Sequence, residues 1–280
     1  MNGPAQVADL LGMASVQRAG VALLFGSVGL PVIGVAIVGL DIIPVRFAMM
    51  HVALLGAAVG MLTGVDPALC GLIACAVAGA AISPLARTPE TLSGAMGLLM
   101  SSAVAAALLV LAVAGVNASA AFSLLWGSIL AVRVQDVVVL AVLAVAVPAL
   151  FWWRRRDLAL LLHDRELALV AGVAVRRLTL VLLVLIAVAV AGAIRLTGAL
   201  LVDALTLLPA LTARRLGNSL TPILFWAIGI GIAVNLVGFL LALAFDLPPG
   251  PVLVLTAGAV AFAAHLIPER RNIPWRASDH

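Results

Sequence analysis

Residues 47–60 read "FAMMHVALLGAAVG", an apolar run whose one ionisable side chain is His51. Gly56, Gly60 and, just beyond the run, Gly64 recur every four residues. On a helix that spacing makes a stripe of small residues on which a second helix closes tightly. At about 100° per residue, Phe47, Leu54, Leu55 and Ala58 share the side of His51, away from that stripe. The stretch therefore reads as a buried helix with a glycine packing face and a histidine face.

The same texture continues on both sides. Of 280 residues, 65% are hydrophobic and 10% charged, with a mean hydropathy of +1.27; a soluble domain carries roughly 25% charged residues. Apolar stretches of about 20 residues, each able to cross a hydrocarbon core of roughly 30 Å as a helix, recur along nearly the whole chain. Ten-residue alternating strands, the mark of a membrane barrel, do not occur. The chain is thus expected to be an all-α membrane protein, one polytopic bundle over residues 1–280 embedded in the lipid bilayer. Spans are predicted at 19–39, 45–64, 67–86, 92–115, 134–153, 177–194, 197–214, 221–244 and 251–267. They make about nine crossings, preceded by a short amphipathic segment at 5–17. Residues 117–136, "NASAAFSLLWGSILAVRVQD", are too short and too polar at their ends to span, and are expected to form a re-entrant or interfacial helix. The first residues lack a basic region and a small-residue cleavage site, so a retained N-terminus is expected.

All 16 basic residues are arginine. A phosphate-binding loop of the form GxxxxGK[ST] needs a lysine, so conventional ATP hydrolysis on this chain is excluded. The sequence pI of about 10.8 does not signal nucleic-acid binding, because the arginines collect at the ends of apolar runs, where membrane topology explains them. Six of them lie in "WWRRRDLALLLHDRELALVAGVAVRRL", residues 152–178, which places that loop on the cytoplasmic side. Counting outward puts Arg214, Arg215 and the tail inside, "FDLPPG" outside, Arg87 and Arg46 inside and the N-terminus outside. Arg18 and Arg195 do not fit, and leave open an even number of spans. Within the loop, residues 155–177 mix apolar and charged side chains at helical spacing, suiting either a partner protein or anionic headgroups. The acidic pair Asp164 and Glu166 favours a protein.

Four stretches, in order, resemble the membrane-spanning permease subunits of the ATP-binding-cassette importers for zinc, manganese and iron. They are "RTPETLSGAMGL" (87–98), "FSLLWGSILAVRVQDVVVL" (122–140), "HDRELALVAGVAVRRL" (163–178), and "TGALLVDALTLLPALTARRL" (197–216) followed by "FDLPPGPVLVL" (245–255). The resemblance implies a dimer of permeases in the bacterial inner membrane. It also implies two ATP-binding subunits docked on the cytoplasmic coupling segment, 155–177, and an extracytoplasmic metal-binding protein that delivers zinc or manganese. The family shows Gly-Asp in its second span with His four residues after the Asp; this chain has Arg46 and Phe47 there and keeps His51. After the fourth span, where the family has Gly-Asp, it has Gly127 and Ser128. Conversely, Asp203 stands within the seventh span at a position where the family carries a small neutral residue.

An aspartate inside a span costs roughly 2.5–3.5 kcal/mol on insertion scales and usually faces the bundle interior or an aqueous path. Asp203 is therefore a candidate metal ligand, with a helix-bridging carboxyl group as the alternative and Thr206 near its face. His51 is the second candidate ligand; a histidine hydrogen-bonded in the core is its alternative. One His and one Asp make two ligands per subunit, four in a dimer. Met49 and Met50 read as packing, and so do Cys70 and Cys75, which point apart on a helix. His163, His265 and His280 read as solvated or interfacial. Besides the metal permease, two readings stay open: a same-fold permease with another cargo, and a stand-alone ion-coupled carrier or channel.

Overall fold

The structure, a computed structural model, describes residues 10–83, 89–115 and 132–266; the side chains of 89–93, 195–200 and 203 lie outside that description. Among the described residues ten helices follow in order: α1 (Ala14–Gly39), α2 (Ile43–Thr63), α3 (Pro67–Ile82), α4 (Pro89–Val113), α5 (Val134–Trp153), α6 (Arg155–His163), α7 (Arg165–Val170), α8 (Val175–Leu216), α9 (Leu220–Phe245) and α10 (Pro249–Leu266). Among the described residues, seven helical segments are long and apolar enough to cross a membrane, and α3, with 16 residues, is a shorter apolar helix. Most of the predicted re-entrant segment, 117–136, and residues 1–9 of the N-terminal region lie outside the described residues.

Helices α1 and α8 form the centre. α1 packs against α8, α5 and α9, while α2 packs against α3 and α4 at one side. Small residues set these contacts. A Cβ on Gly34 of α1 would run into the Thr206 carbonyl of α8, and one on Gly79 of α3 would lie 2.9 Å from the Leu183 carbonyl oxygen. The glycine stripe of α2 behaves as expected at two of its three positions: a Cβ on Gly56 would lie 2.6 Å from the Cys70 carbonyl oxygen, and one on Gly60 2.7 Å from Pro67 Cα. Gly64 has a different task. It ends α2 in the left-handed conformation (φ 73°) that glycine adopts without strain.

α8 has 42 residues, about 63 Å if straight at 1.5 Å per residue, twice what a bilayer core requires. It is not straight. Gly192 packs on Val139 and Leu143 of α5, and Leu143 packs on Gly29 of α1, whereas Thr206 packs on Gly34 of the same helix. Residues 192 and 206, about 21 Å apart on a straight helix, thus flank a stretch of α1 only five residues long. The ends agree: the Arg214 guanidinium donates to the Val38 carbonyl at 3.0 Å, next to Gly39, which abuts Leu162 of α6. The spans predicted at 177–194 and 197–214 are therefore the two arms of one helix that folds back on itself.

The arginine-rich loop forms two short helices. Asp164 breaks the helix between them in an extended conformation, and its side chain accepts from the backbone N–H of Glu166 (2.7 Å) and Leu167 (3.0 Å). Its acidity is explained by capping α7.

Candidate translocation site

His51 sits two turns into α2, half-buried, with Nδ1 2.8 Å from the Phe47 carbonyl oxygen. A carbonyl only accepts, so Nδ1 carries the proton and Nε2 is left as the acceptor, the nitrogen a metal would take. Leu54 and Ala58, on the same side of the helix, are buried with Ala107 and Leu111 of α4, while Phe47 is 40% exposed. The histidine face is therefore closed towards one end of α2 and open around Phe47. Met49 and Met50 are buried in the core, and the Cys75 thiol donates to the Met49 carbonyl at 3.3 Å.

α1 and α2 share only a three-residue turn, Leu40–Ile42, and α8 packs against both. Gly34 lies five residues before the end of α1, His51 eight residues after the start of α2, and Asp203 three residues before Thr206, the partner of Gly34. At 1.5 Å per residue, His51 and Asp203 both fall about 12 Å in from the turn. The α8 backbone thus carries Asp203 to the depth of His51, among the buried Val202, Ala204, Leu205 and Thr206; the Asp203 side chain lies outside the described residues. Among the described residues, no group of three or more His, Cys, Asp or Glu side chains is gathered in one place.

Two polar features of the bundle were not read from sequence as buried groups. Arg46 is 2% exposed, with its guanidinium 4.4 Å from the centre of the Phe47 ring, so a cation is buried beside the position, Phe47, where the family resemblance leads one to expect an acid. An arginine at the margin of an apolar span was the available signal. Ser27 and Asn235 form a buried hydrogen-bonded pair between α1 and α9; an asparagine in the middle of an apolar run was the signal there. The remaining described histidines are peripheral. His163 is exposed beside a cavity of about 320 Å³ bounded by α1, α6 and the α8–α9 turn, and Arg215 donates to the His265 carbonyl at 3.2 Å. At the opposite end, a cavity of about 280 Å³ is lined by Asp66, Gln135 and Asp136. Both carboxylates there cap backbone N–H groups, of Ala68 and Arg133.

The fold and site define a multi-pass inner-membrane protein of the permease type, with small-residue helix packing and sparse polar groups at matched depth. Residues 13–267 match the model of the ABC 3 transport family, and the chain belongs to that family. It is 30% identical over 106 residues to the "High-affinity zinc uptake system membrane protein ZnuB" of Haemophilus influenzae, covering 38% of this chain and 40% of that protein. It is 31% identical over 126 residues to a "Probable metal transport system membrane protein" of Chlamydia trachomatis, covering 40% of this chain and 28% of that one. These matches span well under half of the relatives' own length. Among solved structures, PsaBC from Streptococcus pneumoniae in complex with Fab has the same fold, with a TM-score of 0.80 and 24% identity over 95% of this chain and 97% of that one.

Proposed function

We propose that this chain is the membrane-spanning subunit of an ATP-driven importer for a divalent metal ion, zinc or manganese. It works as a dimer, receives metal from an extracytoplasmic binding protein and docks a separate ATP-hydrolysing subunit on residues 155–177. The observation that carries this reading is the edge of α7. In a loop otherwise rich in arginine, Leu167, Leu169 and Val170 are 51%, 57% and 88% exposed on a capped helix. Such an edge suits a protein socket better than a headgroup layer. Membership of the ABC 3 transport family, and a relative named as a zinc uptake membrane protein, support the same assignment.

In this reading the bundle makes nine crossings, counting α3 and both arms of α8. His51 Nε2 and the Asp203 carboxylate are the protein's ligands for the travelling ion, two from each protomer. ATP-driven closure of the partner subunits moves α6 and α7 and re-aims the helices around the path. The test is uptake of radioactive zinc or manganese by cells carrying the chain with its neighbouring ATPase. His51→Ala and Asp203→Asn are each expected to lower uptake at least about tenfold at limiting metal, since losing one of a few ligands weakens a site by 10–100-fold or more. Wild-type uptake in both variants would remove the two-residue site. The buried Arg46 favours a second reading, a permease of this fold with an altered cargo; ATPase activity of the purified assembly that no divalent metal stimulates would move that reading to first place.

A further inference from the structure

About two-thirds of the way along α1, Pro31 has no N–H to give to the Ser27 carbonyl, its partner in an unbroken helix. That carbonyl faces Gly231 of α9, where a Cβ would lie 2.9 Å from the Ser27 oxygen and 2.8 Å from the Pro31 ring. One turn along α9, Asn235, 2% exposed, donates from Nδ2 to Ser27 Oγ, and the Ser27 hydroxyl donates to the Leu23 carbonyl at 2.6 Å. Asn235 Oδ1 is buried and makes no hydrogen bond. Two acceptors, the Ser27 carbonyl and Asn235 Oδ1, therefore go without their usual donors at one height in an apolar interface, where such groups are costly.

A second arrangement of the same groups serves both. If the Ser27 hydroxyl turns to Asn235 Oδ1, and the amide N–H turns to the carbonyl that Pro31 leaves free, both acceptors gain a donor and Leu23 keeps its helical bond. The exchange takes a rotation of the Ser27 hydroxyl and a turn of the Asn235 amide, and a bend at Pro31, a position where helices kink, brings the freed Ser27 carbonyl and the amide into a new register. Below Pro31, α1 is tied to the coupling region: Gly39 abuts Leu162 of α6, and the Val38 carbonyl accepts from Arg214. The cavity bounded by Val35, Gly39, Leu162 and Ile223 leaves room for that lower half to move.

We propose that Pro31 is a hinge and the Ser27–Asn235 pair its latch, so that displacement of α6 bends α1 and exchanges the two hydrogen-bond arrangements. Asn235 is then a positioning residue for transport. This rests on the reading of the chain as a permease driven by a partner docked at α6 and α7.

The test uses the assembled permease and ATPase in lipid vesicles together with the extracytoplasmic binding protein, with zinc or manganese as cargo and spin labels at Val21→Cys and Leu40→Cys, on either side of Pro31. Pro31→Ala restores the missing helix bond, and Ser27→Ala combined with Asn235→Leu removes the polar groups while keeping the interface filled. For both, ATP hydrolysis is expected to stay within about twofold of wild type while metal uptake falls at least about tenfold, the split that marks lost coupling rather than lost folding. The nucleotide-dependent shift in label distance seen in the parent is expected to vanish. Parallel loss of hydrolysis and uptake, or uptake within about twofold of wild type with the label shift intact, overturns the proposal. If wild-type vesicles accumulate no metal, the metal reading fails, and the label shift in the parent and in Pro31→Ala still decides the hinge.

Discussion

Gly34 and Gly229 both sit inside long helices, and their surroundings give them opposite tolerances. A Cβ at Gly34 would collide with the Thr206 carbonyl, while one at Gly229 meets nothing within 4 Å. Gly34→Ala must push apart the two central helices of the bundle, and overpacking of this kind costs roughly 1–3 kcal/mol or more. Gly229→Ala is expected to change stability by about 0.5 kcal/mol or less. Thermal unfolding of the two variants in detergent checks the pair: a clear drop in Tm for the first and none for the second. At this scale sequence showed which residues are unusual but not what they touch. His51 stood out as the one imidazole in its run, yet its proton on Nδ1 depends on the 2.8 Å contact with the Phe47 carbonyl. Arg46 was visible as a departure from the family, whereas its burial is a product of how α2 packs in the bundle. The depth match of His51 and Asp203 was not legible, because it depends on the fold-back of α8.

At the scale of elements, the short helix α7 has a cap and an exposed edge that separate folding from docking. Asp164→Ala removes the two hydrogen bonds to Glu166 and Leu167, at a cost of about 1 kcal/mol to the local helix. Hydrogen exchange across 165–170 is expected to quicken, with partner binding weakened moderately. Val170→Asp leaves the cap intact and puts a charge on the most exposed apolar side chain of that edge. It is expected to abolish co-purification of the ATPase subunit while leaving exchange in α7 near wild type. Co-purification unchanged in Val170→Asp would remove α7 from the docking surface. The position of this segment followed from counting arginines, since charge distribution is written directly in the chain. Its division into two helices at Asp164 was also available, as a capping aspartate ahead of an apolar run. Span boundaries came out within a few residues for most helices, because hydrophobic length reports where a helix can stop. The close pairing of α1 with α8 and of α2 with α3 was less legible, since every face of such helices is apolar and only the glycines distinguish one from another.

For the whole molecule, the fold-back of α8 fixes on which side of the membrane everything after it lies. A helix of 42 residues that ran straight would put Arg176 and Arg215 on opposite faces of the bilayer, since about 20 residues suffice to cross. The contact of Thr206 with Gly34 of α1, the bond from Arg214 to Val38, and the packing of the adjoining Gly39 on Leu162 of α6 place both ends on one side, with the arginine-rich loop. In a variant with Cys70 and Cys75 replaced, cysteines introduced at Arg176 and Arg215 are therefore expected to react together with a membrane-impermeant thiol reagent. They should react in inside-out vesicles and be protected in right-side-out ones. A cysteine at Asp246, beyond the far end of the next helix α9, is expected to show the reverse pattern. Labelling of 176 and 215 from opposite sides would show that α8 crosses once. That outcome would also move Asp203 away from the depth of His51, so the same vesicles test the frame on which the two-residue site depends.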